Sequence, residues 1–190
     1  RQEQVGFALK SLSNMGVRDL GAIYATPQDF ALQSKGVERT AKALQLRLQS
    51  FQAGADARDL GQHLTPGTPA ILLFVGGTPE LARFTQGLEK QARQRYLVAL
   101  ADVNLQTLMQ MGAARNTPVI ATQPVPMVTA SLPVVRAYRD VMGRLFDEPP
   151  SPLSLAGFLA ARYTHEVLEE VDGPMTRATA CTLALARATS

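Results

Sequence analysis

Apolar residues along the first two thirds of the chain gather in five short runs, at 20–24, 46–51, 70–75, 96–100 and 119–122, each of strand length. Longer segments whose apolar positions recur at the helical period separate them. Short buried-type strands joined by helical crossovers predict a parallel sheet covered on both faces, an α/β doubly wound architecture. Such a sheet holds ligands outside the carboxyl ends of its strands, so the loops that follow each run are where function is to be sought.

The intervening segments carry their own punctuation. Val5, Leu9, Leu12 and Met15 share one face of a helix expected over 2–15, and Gly16 follows where a left-handed residue ends it. After Tyr24, the segment Ala25-Thr26-Pro27-Gln28-Asp29-Phe30 has turn chemistry, and the next helix runs through Leu32, Val37, Ala41 and Leu44. Gly54 and Asp56 introduce a short helix through Leu60 and Leu64, and Thr65-Pro66-Gly67-Thr68-Pro69 turns tightly into the third strand. That strand ends at Gly76-Gly77-Thr78, with Thr78 expected as N-cap and Pro79 in the first turn of the following helix. Asn104 is expected to cap a short helix reaching Met111.

Beyond Thr122 the pattern changes, because Gln123-Pro124-Val125-Pro126 cannot continue a central strand. It reads as a crossover, followed by helices only, at 132–146, 155–171 and 175–188. The second of these has Leu155, Phe158, Leu159, Ala161, Tyr163, Val167, Leu168 and Val171 on more than one face, so it is expected to need partners on two sides.

Composition adds exclusions. The 190 residues, 46% of them apolar, suffice for one good core or for one domain with pieces of another. No window approaches the roughly 20 continuous apolar residues of a membrane span, and none resembles a signal peptide. The chain starts with Arg1 and not Met, so an upstream segment is expected to have been removed, and export stays open. The formal charge of +3 is spread without a basic run, which argues against nucleic acid as a partner. A single cysteine, Cys181, excludes an internal disulfide, and its place among alanines and leucines predicts a buried packing role.

Catalytic signatures fail one after another. Gly76-Gly77 lacks the GxGxxG spacing of a dinucleotide loop, and no GxxxxGK[ST] or G-x-S-x-G segment occurs. His165-Glu166 with Glu169 lacks the second histidine of a zinc-protease motif, and His63 lies far off, so both histidines are expected at the surface. A phosphoacceptor aspartate is absent from the end of the third strand, where Val75-Gly76 stands. No catalytic set, cofactor or metal site is expected.

Several segments taken together resemble a known family. They are 17–51 with Gly16 before it, Leu73-Phe74-Val75-Gly76-Gly77-Thr78, Thr122-Gln123-Pro124-Val125-Pro126, and the series Pro133, Tyr138, Pro150-Ser151, Gly157-Phe158, Ala160-Ala161-Arg162. In order and spacing they are similar to the branched-chain amino-acid-binding family, the type I periplasmic substrate-binding proteins of ABC importers, also called the receptor-family ligand-binding region. The resemblance covers nearly the whole chain. It implies two α/β lobes with a ligand cleft between them, of which residues 1–122 match the second lobe and 123–190 the crossover and helices that return to the first. On that reading the chain is a fragment lacking the main part of its first lobe. The alternative is a complete small flavodoxin-like protein with a helical tail. Either way the expected sheet order is 2-1-3-4-5, with the crevice between the loops after the first and third strands.

The resemblance also implies site residues. Phe30 stands where the family places an aromatic wall over the ligand, or else it packs the loop onto its own helix. Gly77 and Thr78 follow the third strand, where small residues let a ligand approach the backbone and a helix start offers amides, although a plain tight turn needs glycine there too. Ala101 and Asp102 follow the fourth strand, near the acidic group that pairs with a ligand ammonium, and Asp102 can equally be a loop charge or a cap. The implied role is an extracytoplasmic, periplasmic solute-binding protein that delivers a small ligand, such as an amino acid or related carboxylate, to a membrane permease. A ligand-sensing receptor ectodomain of the same fold is the alternative, and a small α/β enzyme a third. Without its first lobe the fragment is expected to self-associate through residues such as Phe158, Tyr163 and Val167 and to bind solutes weakly or not at all.

Overall fold

The computed structural model describes residues 2–173 and 176–188. Five strands, β1 (Asp19–Tyr24), β2 (Arg47–Gln52), β3 (Ile71–Val75), β4 (Tyr96–Ala99) and β5 (Val119–Ala121), form one sheet in the order β2-β1-β3-β4-β5. Every pairing is parallel. The expected doubly wound sheet is therefore present, and its order reverses between β1 and β3.

Chain-period arguments explain the layers. Leu20, Ala22 and Tyr24 of β1 point to one face, where they join Val5, Leu9 and Leu12 of α1 (Gln2–Asn14) and Val37 and Ala41 of α2 (Pro27–Ala43). Ile23, with Leu72 and Phe74 of β3, points to the other, against Leu81 and Phe84 of α4 (Thr78–Leu88) and Leu108 of α5 (Leu105–Gln110). Each Val, Leu, Ile or Phe side chain among them contributes about 1.5–3 kcal/mol relative to exposure. On that second face α3 (Ala57–His63) crosses α4 at two glycines: a Cβ on Gly61 would collide with the Phe84 carbonyl, and one on Gly87 with that of Arg58.

Local chemistry sets the element ends. Thr26 caps α2 by accepting from the Asp29 amide at 3.1 Å while its hydroxyl donates to the Asp29 carboxylate at 2.7 Å, and Pro27 opens the helix. Asp56 and Asn104 cap α3 and α5 in the same way. Thr78, expected as a cap, is instead the first residue of α4. Gly77 holds the cap position, and the Thr78 hydroxyl turns away to another loop.

Two further expectations need correction. The second run is no buried strand: at the sheet edge, β2 buries neither face, with only Leu48 and Phe51 half-buried. A bidentate pair between Arg47 and Asp19, both N–O distances 2.6 Å, ties it to β1 at its start. Cys181 is exposed, because the helix that carries it presents that face to solvent.

The chain divides into two compact units, Arg1–Gln123 and Pro124–Ser190. The second consists of α6 (Pro133–Leu145), α7 (Pro152–Glu169) and α8 (Arg177–Ala188); the start expected for the last helix, at Met175, lies outside the described residues. Its small core joins Val135, Tyr138 and Met142 to Leu155, with Phe158 packed against the Tyr138 ring at 5.6 Å. The Tyr138 hydroxyl accepts from the Ser151 amide at 2.9 Å, where Ser151 and Ser154 form a capping box that starts α7 three residues earlier than its apolar pattern suggested. Val167 is buried, while Tyr163 is exposed and donates its hydroxyl to the Ala184 carbonyl of α8 at 2.9 Å. Leu153, Leu145, Met127 and Leu185 are the more exposed large apolar groups of this unit, followed by Phe146.

Candidate functional site at the strand ends

The loops at the carboxyl ends of the sheet are stitched together by backbone bonds. Tyr24 is in register with both Gln52 and Val75, and just beyond it Ala25 donates to the Val75 carbonyl at 2.9 Å while Ala53 donates to that of Tyr24 at 2.9 Å. The loops after β1 and β3 thus lie side by side at the point where the strand order reverses. Gly76 makes that approach possible, since a Cβ there would run into the Ala25 methyl and stand 3.0 Å from the Phe74 ring.

Thr78 is 8% exposed, and its Oγ1 accepts from the Asn104 amide at 2.9 Å. That bond joins the loop after β3 to the loop after β4, which carries Ala101 and Asp102. The hydroxyl still has its own proton to donate. Gly77 lies under the Glu80 carboxylate, whose Oε2 is 2.8 Å from where a Cβ would stand. The Ala101 amide is taken by the Gln4 side chain of α1, its Oε1 accepting at 3.2 Å, and Asp102 is exposed. So Gly77, Thr78, Ala101 and Asp102 come together on two linked loops.

Phe30 lies in the first turn of α2, which follows the loop after β1, and packs on its own side of the sheet. Its ring meets Tyr24 edge-on, centroids 5.2 Å apart at 87°, and it is half-buried against the α1 and α2 core. Tyr24 is fully buried. Burial pushes its phenol up to about 12, with the Ser50 hydroxyl opposing the rise and the Glu38 carboxylate adding to it. On the far side, the Thr122 hydroxyl at the end of β5 is buried with no partner among the described residues.

Sequence reasoning missed Gln4 and the Thr78 to Asn104 bond. Gln4 sits in the first turn of a surface helix, and nothing in its neighbours signals a contact with a residue 97 positions on. The electrostatics of this edge were partly readable: Asp29 and Glu80 fall in the first turns of α2 and α4 and Asp102 in the loop after β4, so carboxylates follow three neighbouring strands and make the rim acidic.

No protein-family model matches the chain, and no curated protein sequence matches it. Solved structures do. An extracellular ligand-binding receptor from Verminephrobacter eiseniae superposes with a TM-score of 0.76 at 20% identity, over 97% of this chain and 54% of that one. A possible leucine/isoleucine/valine-binding protein from Rhodopirellula baltica gives 0.78 at 17% identity, over 96% and 53%. A leucine-binding protein from Thermotoga maritima gives 0.76 at 16%, over 96% and 53%. The chain spans about half the length of these structures. The likeness is one of fold: sheet and helices are those of the type I periplasmic binding proteins.

Proposed function

We propose that this chain is the second lobe, with returning helices, of an extracytoplasmic solute-binding protein, and that its strand-end loops form one wall of the ligand cleft. The observation that carries the reading is the acidic, backbone-rich rim at the β1/β3 reversal, on a fold shared with proteins named for binding leucine, isoleucine and valine. Asp102 and Glu80 suit a ligand ammonium, the Thr78 hydroxyl donates a hydrogen bond, and Phe30 supplies apolar cover. An amino acid carries such an ammonium, and its carboxylate end would be held elsewhere, away from these acids. Delivery to the permease of an ABC importer completes the role. No helix among the described residues is long and apolar enough to cross a membrane.

A screen of amino acids and small amides by thermal shift, with calorimetry on any hit, tests the reading. A solute that raises the melting temperature of this chain, and loses its effect in Thr78→Val or Asp102→Asn, supports it. No shift from any amino acid at millimolar concentration speaks against it. A sensing ectodomain is the second reading, since one of the matched structures is named a receptor; stimulation of an importer's ATPase by the loaded protein separates the two.

A further inference from the structure

The opposite, amino edge of the sheet carries a second concave surface. The loop between α4 and β4 and the loop between α5 and β5 enclose an open cavity of about 620 Å³. Arg93, Arg95 and Arg115 all line it, beside Asn116 and Thr117, and Glu89 is the sole carboxylate in its lining. The polarity is the reverse of the acidic strand-end rim.

Among the described residues, no carboxylate forms an ion pair with any of the three guanidinium groups. Arg95 is 2% exposed and donates only to carbonyls: Nη1 to Thr68 at 2.6 Å and Pro69 at 2.9 Å, and Nη2 to Thr65 at 3.1 Å. Its Nε is buried with no partner among the described residues. Arg93 crowds the same loop, donating to the carbonyls of Pro66 and, at 3.3 Å, Thr68. Arg115 is exposed and uses its Nε on the Gly112 carbonyl at 3.1 Å, leaving both terminal nitrogens for a ligand. Burial and the neighbouring Arg93 charge both hold the Arg95 pKa below its ordinary range. A clip for the loop at 65–69 explains the carbonyl bonds of Arg95. It does not explain why two more cations converge on the same hollow, where Glu89 is the one carboxylate of the lining and no ion pair among the described residues meets them.

We propose that this cavity is an oxyanion site, with Arg93 and Arg115 gripping a phosphate group and the buried Arg95 supplying the fixed positive field behind it. Guanidinium forks match the oxygens of phosphate, and an anion here relieves the repulsion between Arg93 and Arg95. The volume exceeds that of a bare anion, which leaves room for a small organic group esterified to it. The site is independent of the strand-end crevice and of the function proposed for it.

Calorimetric melting of this chain with inorganic phosphate, glycerol phosphate, or sodium chloride at matched ionic strength tests the assignment. Phosphate at about ten times its Kd should raise the melting temperature by roughly 3 °C, and chloride should not. Arg115→Gln, an exposed change that leaves the core untouched, should abolish the shift, as should Arg93→Gln, whereas Arg18→Gln, elsewhere on the same edge, should keep it. A larger response to glycerol phosphate would assign the remaining volume to the ester group, and an equal one would assign the site to the free anion. An equal shift from chloride, or a phosphate shift that survives in Arg115→Gln, would overturn the proposal.

Discussion

At the scale of single residues, the groups that matter most are polar side chains whose partners lie far along the chain. Arg95 satisfies three carbonyls of the loop that feeds β3, at 2.6 to 3.1 Å, while almost wholly buried. Replacing it by Met would leave those carbonyls unsatisfied, so Arg95→Met should lower stability by about 2–4 kcal/mol, measured by urea unfolding. Tyr24 offers a pH test. Its phenol titrates near 10 when unfolded and at about 12 in the folded chain, so above pH 10 the unfolded state sheds a proton that the folded state keeps. Stability contributed by the neutral phenol is complete below pH 10 and is lost as pH rises toward 12. The fall in stability across that window should be shallower in Tyr24→Phe, and equal slopes in the two proteins would show that Tyr24 does not titrate as described.

At the scale of elements, close approach decides more than propensity does. The crossing of α3 and α4 rests on Gly61 and Gly87, each facing backbone of the other helix. Gly87→Val should therefore force the helices apart and cost about 3 kcal/mol or more in urea unfolding, whereas the same change at Gly143, with open space around it, should cost about 1 kcal/mol or less. The start of α7 depends on Ser151, which accepts from the Ser154 amide at 3.2 Å inside the Tyr138 network. Ser151→Ala should cost about 1 kcal/mol, and a loss near zero would mean that Pro152 alone sets the start. Element type was legible from the apolar period in every one of these cases. Edge status was not: β2 has a strand's length and apolar count, yet only its place beside β1 alone leaves both faces uncovered.

At the scale of the molecule, the two units differ in how much core each owns. Both large apolar clusters of the first unit draw only on residues between Val5 and Ala121, while the second unit's cluster has four buried members. Residues 2–123 expressed alone should melt in one cooperative transition, and residues 124–190 alone should lack one, as judged by calorimetry and near-UV dichroism. A broad, non-cooperative melt of the longer piece would show that its core is not self-sufficient.

What the sequence determined by itself was the list of elements, their order and the sheet they must form, because periodicity and turn chemistry are local and parallel strands joined by helices admit few topologies. The strand-end placement of Phe30, Gly77, Thr78, Ala101 and Asp102 followed from that topology. Only the tertiary structure decided how these residues are held: Thr78 bonded to Asn104, Ala101 to Gln4, and Phe30 braced on Tyr24. It alone gathered Arg93, Arg95 and Arg115 around one hollow. Such contacts join positions tens of residues apart, where hydrogen-bond geometry and charge act through space and leave no periodic trace along the chain.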